Sequence, residues 1–158
     1  MDDLTRLLAE NACAKLPLLF AKHADDGDHA ALADLFTEDC EMARPFQPNH
    51  PFYGRDRVQA IFRDRPPFLV RHIVTNVLVE VISDTEARGS NYLMMLSSHA
   101  SPEPPQEAGA LYVGAFEDHY VKVGGAWKFK SRHGMVALHM GGAMPDIPPP
   151  SDEARGLK

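Results

Sequence analysis

Residues 4–23 carry apolar side chains at Leu4, Leu7, Leu8, Ala12, Leu16, Leu19 and Phe20, close to the spacing of an amphipathic helix. Pro17 interrupts the run. It has no N–H to donate and its ring meets the preceding turn, so a kink or a fresh start is predicted there. Asp25-Asp26-Gly27-Asp28 breaks the helix, and Asp28 suits the N-cap of a second one, HAALADLF, with Leu32, Leu35 and Phe36 inward. Thr37-Glu38-Asp39 ends it. Residues 40–46 read as a first strand, after which Pro45, Pro48 and Pro51 predict a loop. Gly54-Arg55-Asp56 leads into a third helix, RVQAIFRDR, with Val58, Ile61 and Phe62 inward, and Pro66-Pro67 stops it.

From residue 69 onward alternation and β-branched residues take over, predicting strands over 70–82, 87–99, 109–123 and 126–139. Ser83-Asp84-Thr85-Glu86 and Gly124-Gly125 are hairpin turns, and residues 101–106 form an exposed polar loop. The expected division is a domain over 1–140 and a Pro/Gly-rich tail over 141–158, draped or disordered. Helices followed by a meandering sheet predict an α+β fold with the helices on one face.

Strand parity then sorts the side chains. His72, Val74, Asn76 and Leu78 share a face that mixes polar and apolar groups, as a cavity wall would. Ile73, Thr75, Val77 and Val79 share the other, joined by Tyr92, Met94 and Leu96, and this apolar face predicts self-association. Further sets are Asn91, Leu93, Met95, Ser97 and His99; Tyr112, Gly114, Phe116 and Asp118; and Trp127, Phe129, Ser131 and His133. A wall holding Met95, Phe116 and Phe129 with a few polar groups suits an aromatic ligand. For Leu93, Trp127 and Phe129 the plainer reading is hydrophobic core. Arg44, His50, Tyr53 and Tyr112 could meet a phenol or carboxylate from loops and strand ends. Lys128, Lys130 and Arg132 alternate along an outer, solvated face.

Composition narrows the chemistry. The 158 residues carry 16 Lys and Arg against 22 Asp and Glu, a net charge of −6, which gives no general attraction for nucleic acid or anionic lipid. Cys13 and Cys40 lie in apolar surroundings and read as buried thiols of a reducing compartment. The first twenty residues are too polar for a signal peptide or membrane span, and the expectation is a cytoplasmic protein. Eight His invite a metal, yet no H-E-x-x-H, H-x-H or CxxC spacing occurs, and Asp25–Asp28 lacks the spacing of a calcium loop. No phosphate-binding or dinucleotide fingerprint is present. Neither a metal nor a cofactor is expected.

Several local patterns occur in a telling order. Phe20 is followed by Asp25, Asp28, Leu32, Leu35-Phe36 and Asp39, then by Gly54-Arg55-Asp56. Arg71-His72-Ile73-Val74-Thr75-Asn76-Val77 precedes Gly89-Ser90-Asn91-Tyr92-Leu93, and the ending is Glu117-Asp118-His119-Tyr120 with Gly125-Ala126-Trp127-Lys128-Phe129. Over roughly residues 10–138 this resembles the nuclear transport factor 2-like superfamily, in its SnoaL-like branch. The resemblance implies a cone in which a curved antiparallel or mixed sheet and three helices enclose an apolar pocket. Such proteins include cofactor-free dehydratases such as scytalone dehydratase, a dehydrochlorinase, cyclases, isomerases and lyases, besides the non-catalytic small subunits of ring-hydroxylating dioxygenases.

In the catalytic branches the residue matching His72 is a general base and the one matching Asp25 bonds it, a role that suits imidazole. The chain departs from the dehydratase pattern at Ala24 and Phe20, where the family has Tyr, and near Ser97, where it has a second His; His99 lies two residues on. The implied function is a cofactor-independent lyase, of dehydratase or deformylating type, or an isomerase. It would act on a small aromatic or alicyclic substrate as a homodimer or homotrimer. Tyr53, Asn91, Met95, His99, Tyr112, Phe116 and His133 would surround that substrate. The alternative is a non-catalytic dioxygenase subunit or a small-molecule binding module.

Overall fold

The computed structural model describes residues 1–141 and 144–157. The first helix, α1 (Asp3–Asp26), starts where the Asp2 carboxylate accepts the Thr5 N–H and ends at Gly27, whose φ of 72° is left-handed. It runs through Pro17 without the predicted break. The Pro17 ring is fully buried, and that packing offsets the hydrogen bond withheld from the preceding turn. Asp28 caps α2 (His29–Asp34) through the Ala31 N–H.

The second helix stops before Phe36, which opens strand β1 (Phe36–Ala43) rather than closing a helix. Long-range pairing overrides local propensity at this point. The Phe129 N–H donates to the Leu35 carbonyl, and Phe36 stands beside Phe129 in parallel register. Within the predicted loop, β2 (Phe52–Tyr53) adds a short antiparallel edge to β1. Helix α3 spans Arg55–Arg63 and buries Val58 and Phe62. Strands β3 (Leu69–Val81), β4 (Glu86–Ser98), β5 (Ala110–Val123) and β6 (Ala126–Met140) follow the predicted bounds within a residue or two. Gly124 and Gly125 both have positive φ, as a two-residue hairpin turn of the primed type requires.

The six strands form one mixed sheet in the order β2-β1-β6-β5-β4-β3, with only β1–β6 parallel. The three helices cover one face. Phe20 of α1 is the hub of the core, edge-on to Phe36, Phe62, Phe116 and Phe129 at 5.6–6.4 Å between ring centroids.

Bulges break the parity on which the face assignment rests, at Asn76 and Val77 in β3 and at Lys130 and Ala137 in β6. Thr75 pairs with Tyr92 but Leu78 with Ser90, leaving one extra residue on β3, and Asn76 there adopts a left-handed φ of 53°. Beyond it the faces exchange: Val77 and Val79 turn toward the helices, and Leu78 faces out, 69% exposed. Asn76 itself is exposed and does not continue the face of His72. A second bulge at Lys130 separates the pairs Tyr120–Phe129 and His119–Ser131. Arg132 is consequently fully buried rather than solvated, and His133 points away from the helices.

Beyond β6 the tail returns across the domain. The Gln47 side chain donates to the Pro148 carbonyl, Ser151 caps the short helix α4 (Asp152–Arg155), and Arg155 donates to the Pro51 carbonyl. Residues 142, 143 and 158 of the expected tail lie outside the described residues. No described helix is long and apolar enough to cross a membrane.

Candidate active site

Strand β3 is an edge of the sheet, so part of its main chain faces away from β4. The outward His72 N–H donates to Asp25 Oδ2 at 2.9 Å, and the His72 ring nitrogen Nδ1 lies 2.5 Å from Asp25 Oδ1. Asp25 sits in the last turn of α1, two residues before the Gly27 stop, and the helix end carries its carboxylate onto the strand. One carboxylate thus fixes both the backbone and the ring. The side chains are only 8% and 11% exposed. With the carboxylate ionised, Nδ1 carries the proton and donates it, which leaves the Nε2 lone pair as the free acceptor.

His72 lines a cavity of about 340 Å³. Its wall is mainly apolar: Phe20, Met42, Phe46, Phe62, Phe68, Leu93, Met95 and Phe116 all contribute. The polar lining comprises Arg44, Arg65, His72, Ser97, His99 and Tyr112. His99 stacks on Phe68 at 4.7 Å between ring centroids, and Tyr112 meets Phe46 edge-on at 4.9 Å. Pro145 and Ile147 of the returning tail complete the wall.

Behind Phe116 and Phe20 lies a second polar group that sequence parity had hidden. Arg132 Nη1 donates to Asp118 Oδ2 at 2.5 Å, and the same oxygen accepts from Asn91 and from the Tyr120 hydroxyl at 3.0 Å each. The guanidinium carbon is 3.8 Å from the centroid of the Phe116 ring. Burial pushes the Asp118 carboxyl upward, opposed by the Arg132 charge and the Tyr120 hydroxyl.

Of the seven residues expected around a ligand, Met95, His99, Tyr112 and Phe116 line the cavity. Asn91 is buried one layer beneath, on Asp118. Tyr53 lies on the β2 edge and lines a separate surface cleft with Arg55. His133 is turned outward by the Lys130 bulge and pairs with Glu41 at 3.0 Å. His50 does not line the cavity, whereas Arg44 does. Arg65 and the tail residues had no signal in the sequence: Arg65 stands in a charged helix end before Pro66-Pro67, and Ile147 in a Pro-rich stretch.

Burial raises the Cys13 thiol to about 12 and Cys40 to about 11, so neither supplies a thiolate nucleophile near neutrality. Among the described residues, no group of three or more His, Cys, Asp or Glu is gathered closely enough to hold a metal ion.

A family model described as a SnoaL-like domain matches residues 5–133. No curated protein matches the chain. Among solved structures, a Novosphingobium aromaticivorans protein bearing the provisional name scytalone dehydratase is 26% identical, with a TM-score of 0.76 over 92% of this chain and 95% of that one. A hexachlorocyclohexane dehydrochlorinase, LinA type 2, is 20% identical, with a TM-score of 0.76 over 94% and 99% of the two chains. A second Novosphingobium aromaticivorans protein, provisionally named an aromatic ring hydroxylase, is 18% identical, with a TM-score of 0.67 over 83% and 91%. The last two likenesses concern the fold alone.

Proposed function

The chain belongs to the SnoaL-like domain family, and on that premise we propose that it is a cofactor-independent lyase acting through His72 and Asp25. The observation that carries this reading is the His72–Asp25 pair, nearly withdrawn from solvent in the wall of an apolar cavity. Nε2 takes a proton from substrate carbon. The C–H electron pair becomes the new double bond as the leaving group departs with its own bonding pair. The imidazolium, held by Asp25, returns the proton to a departing hydroxyl, so that water leaves. A hydroxymethyl substrate uses the same groups differently. Its O–H is deprotonated, the C–C bond breaks to release formaldehyde, and the carbanion takes the proton back. The aromatic lining suits a small aromatic or alicyclic substrate. In this reading the protein works as a homodimer or homotrimer, with the helix-free face of the sheet between copies.

The test is turnover of aromatic β-hydroxy and hydroxymethyl compounds, with loss of water or formaldehyde read by mass spectrometry. His72→Ala should lower turnover about 10²–10⁴-fold. Asp25→Asn should impair it as well, since an amide does not stabilise the imidazolium. The double variant should be no slower than the slower single one, because the two groups act as a unit. Undiminished turnover in His72→Ala, or losses that multiply, would end this reading in favour of a non-catalytic subunit or binding module.

A further inference from the structure

Arg44 and Arg65 are the two guanidinium groups in a wall that is mainly aromatic and aliphatic. Arg65 lies over two rings of that wall, its guanidinium carbon 4.9 Å from the Phe62 centroid and 5.0 Å from that of Phe68. Arg44 lies 5.3 Å over Phe52 and donates to the Gln47 side-chain carbonyl. Its Nε is shielded from solvent and has no partner. Aromatic faces orient a guanidinium without neutralising it. Arg55, Arg63, Arg132 and Arg155 each sit on a carboxylate; among the described residues, neither Arg44 nor Arg65 does.

We propose that Arg44 and Arg65 form an anion clamp, and that the cavity takes a small aromatic ligand bearing one carboxylate. The inference rests on the cavity being the substrate site, as proposed above. Charge balance sets the valence. The lining carries two fixed positive charges; behind it Asp118 and Arg132 cancel each other, and Asp25, held on the His72 ring and N–H, offsets one of the two. One further negative charge closes the account. Burial already pulls both guanidiniums below their ordinary range, with the Arg44 charge adding to this at Arg65 and Asp25 opposing it. Both line the same cavity, and an anion bound there offsets the cost of burying their charges. Carboxylate is the matching group, because a planar fork of N–H donors meets its two oxygens in parallel. A dianionic phosphate would overshoot the balance. The cavity volume of about 340 Å³ admits one small ring system.

The experiment is titration calorimetry of the full chain with matched acids and amides: benzoate and benzamide, cinnamate and cinnamamide, 2-naphthoate and 2-naphthamide. In at least one pair the acid should bind about 10- to 100-fold more tightly than its amide, the worth of charge-assisted hydrogen bonds. Arg65→Gln and Arg44→Gln, checked for folding by circular dichroism, should each remove most of that preference by weakening the acid far more than the amide. Equal affinities in every wild-type pair would overturn the proposal without recourse to any variant. So would a preference that survives the double Gln substitution. His72→Ala separates the two proposals: acid preference retained in this inactive variant upholds the clamp independently of the lyase chemistry. Turnover of neutral aromatics by a wild type with no acid preference would sink the clamp and leave the lyase reading standing.

Discussion

The two faces of strands β3 to β6 are built from alternate residues of the same peptides, yet they hold opposite kinds of unsatisfied chemistry. On the helix-covered face the register rows read His72, Met95, Tyr112, His139 and then Val74, Leu93, Gly114, Val136. A deeper row joins Gly89, Asp118 and Arg132. On the far face the rows read Ile73, Met94, Val113, Leu138 and Thr75, Tyr92, Ala115, Met135. Both faces carry charge, since Arg71, Glu80, Arg88 and Glu117 lie exposed on the far one; the difference is that the covered face holds ionic groups out of water while the far face leaves large apolar side chains in it. Ile73, Tyr92, Met135, Leu138 and Met140 are 50–68% exposed. The covered face spends stability to hold ionic groups out of water. The open face gains nothing from water and is suited to burial against a second copy.

The sharpest way to break the covered face is to remove half of its buried pair. Asp118→Ala leaves the Arg132 charge without its counter-ion, and about 3–5 kcal/mol of stability should disappear in urea denaturation. Replacing both partners, Asp118→Leu with Arg132→Met, should cost less than the single change, since no lone charge remains. A double variant less stable than Asp118→Ala would show that the pair holds the fold rather than serving the site. The open face should answer differently. Leu138→Lys should leave circular dichroism unchanged and convert an oligomer to a monomer in light scattering. A wild-type monomer at micromolar concentration would refute self-association. The smallest effect belongs to the bulge that sets which residues meet which face. Asn76→Gly should be nearly neutral because glycine also adopts positive φ, whereas Asn76→Val should cost about 1–2 kcal/mol.

Parity reading succeeded wherever a strand stayed regular. Along β4, Asn91, Leu93, Met95 and Ser97 all point to the covered face, as alternation requires. It failed one residue past the Asn76 and Lys130 bulges. The β3 bulge left a trace: Asn tolerates left-handed φ, and Glu80 sits at an even position that would otherwise be buried beside His72 and Val74. The Lys130 bulge left none, because Lys128 and Lys130 make Arg132 look like the next member of a solvated row. The placement of Phe36 in a strand came from its parallel partner Phe129, more than ninety residues away in the chain, which no local pattern encodes. His72 and Asp25 were legible through family resemblance joined to strand parity. Arg65 was not, for its meaning depends on the rings it lies against and on the carboxylates it lacks.

The returning tail has a consequence for how such a cavity can be altered. Pro145 and Ile147 close one side of it, and their segment is tied down through Gln47 and Arg155 without belonging to any strand of the sheet. His72 and Asp25 therefore sit on the frame of α1 and β3, while the cavity wall belongs in part to an appended strip. Substitutions in that strip change the size of molecule admitted without shifting the register of His72 or the reach of Asp25. If the proposed lyase chemistry holds, selectivity and reactivity can drift independently in such a molecule.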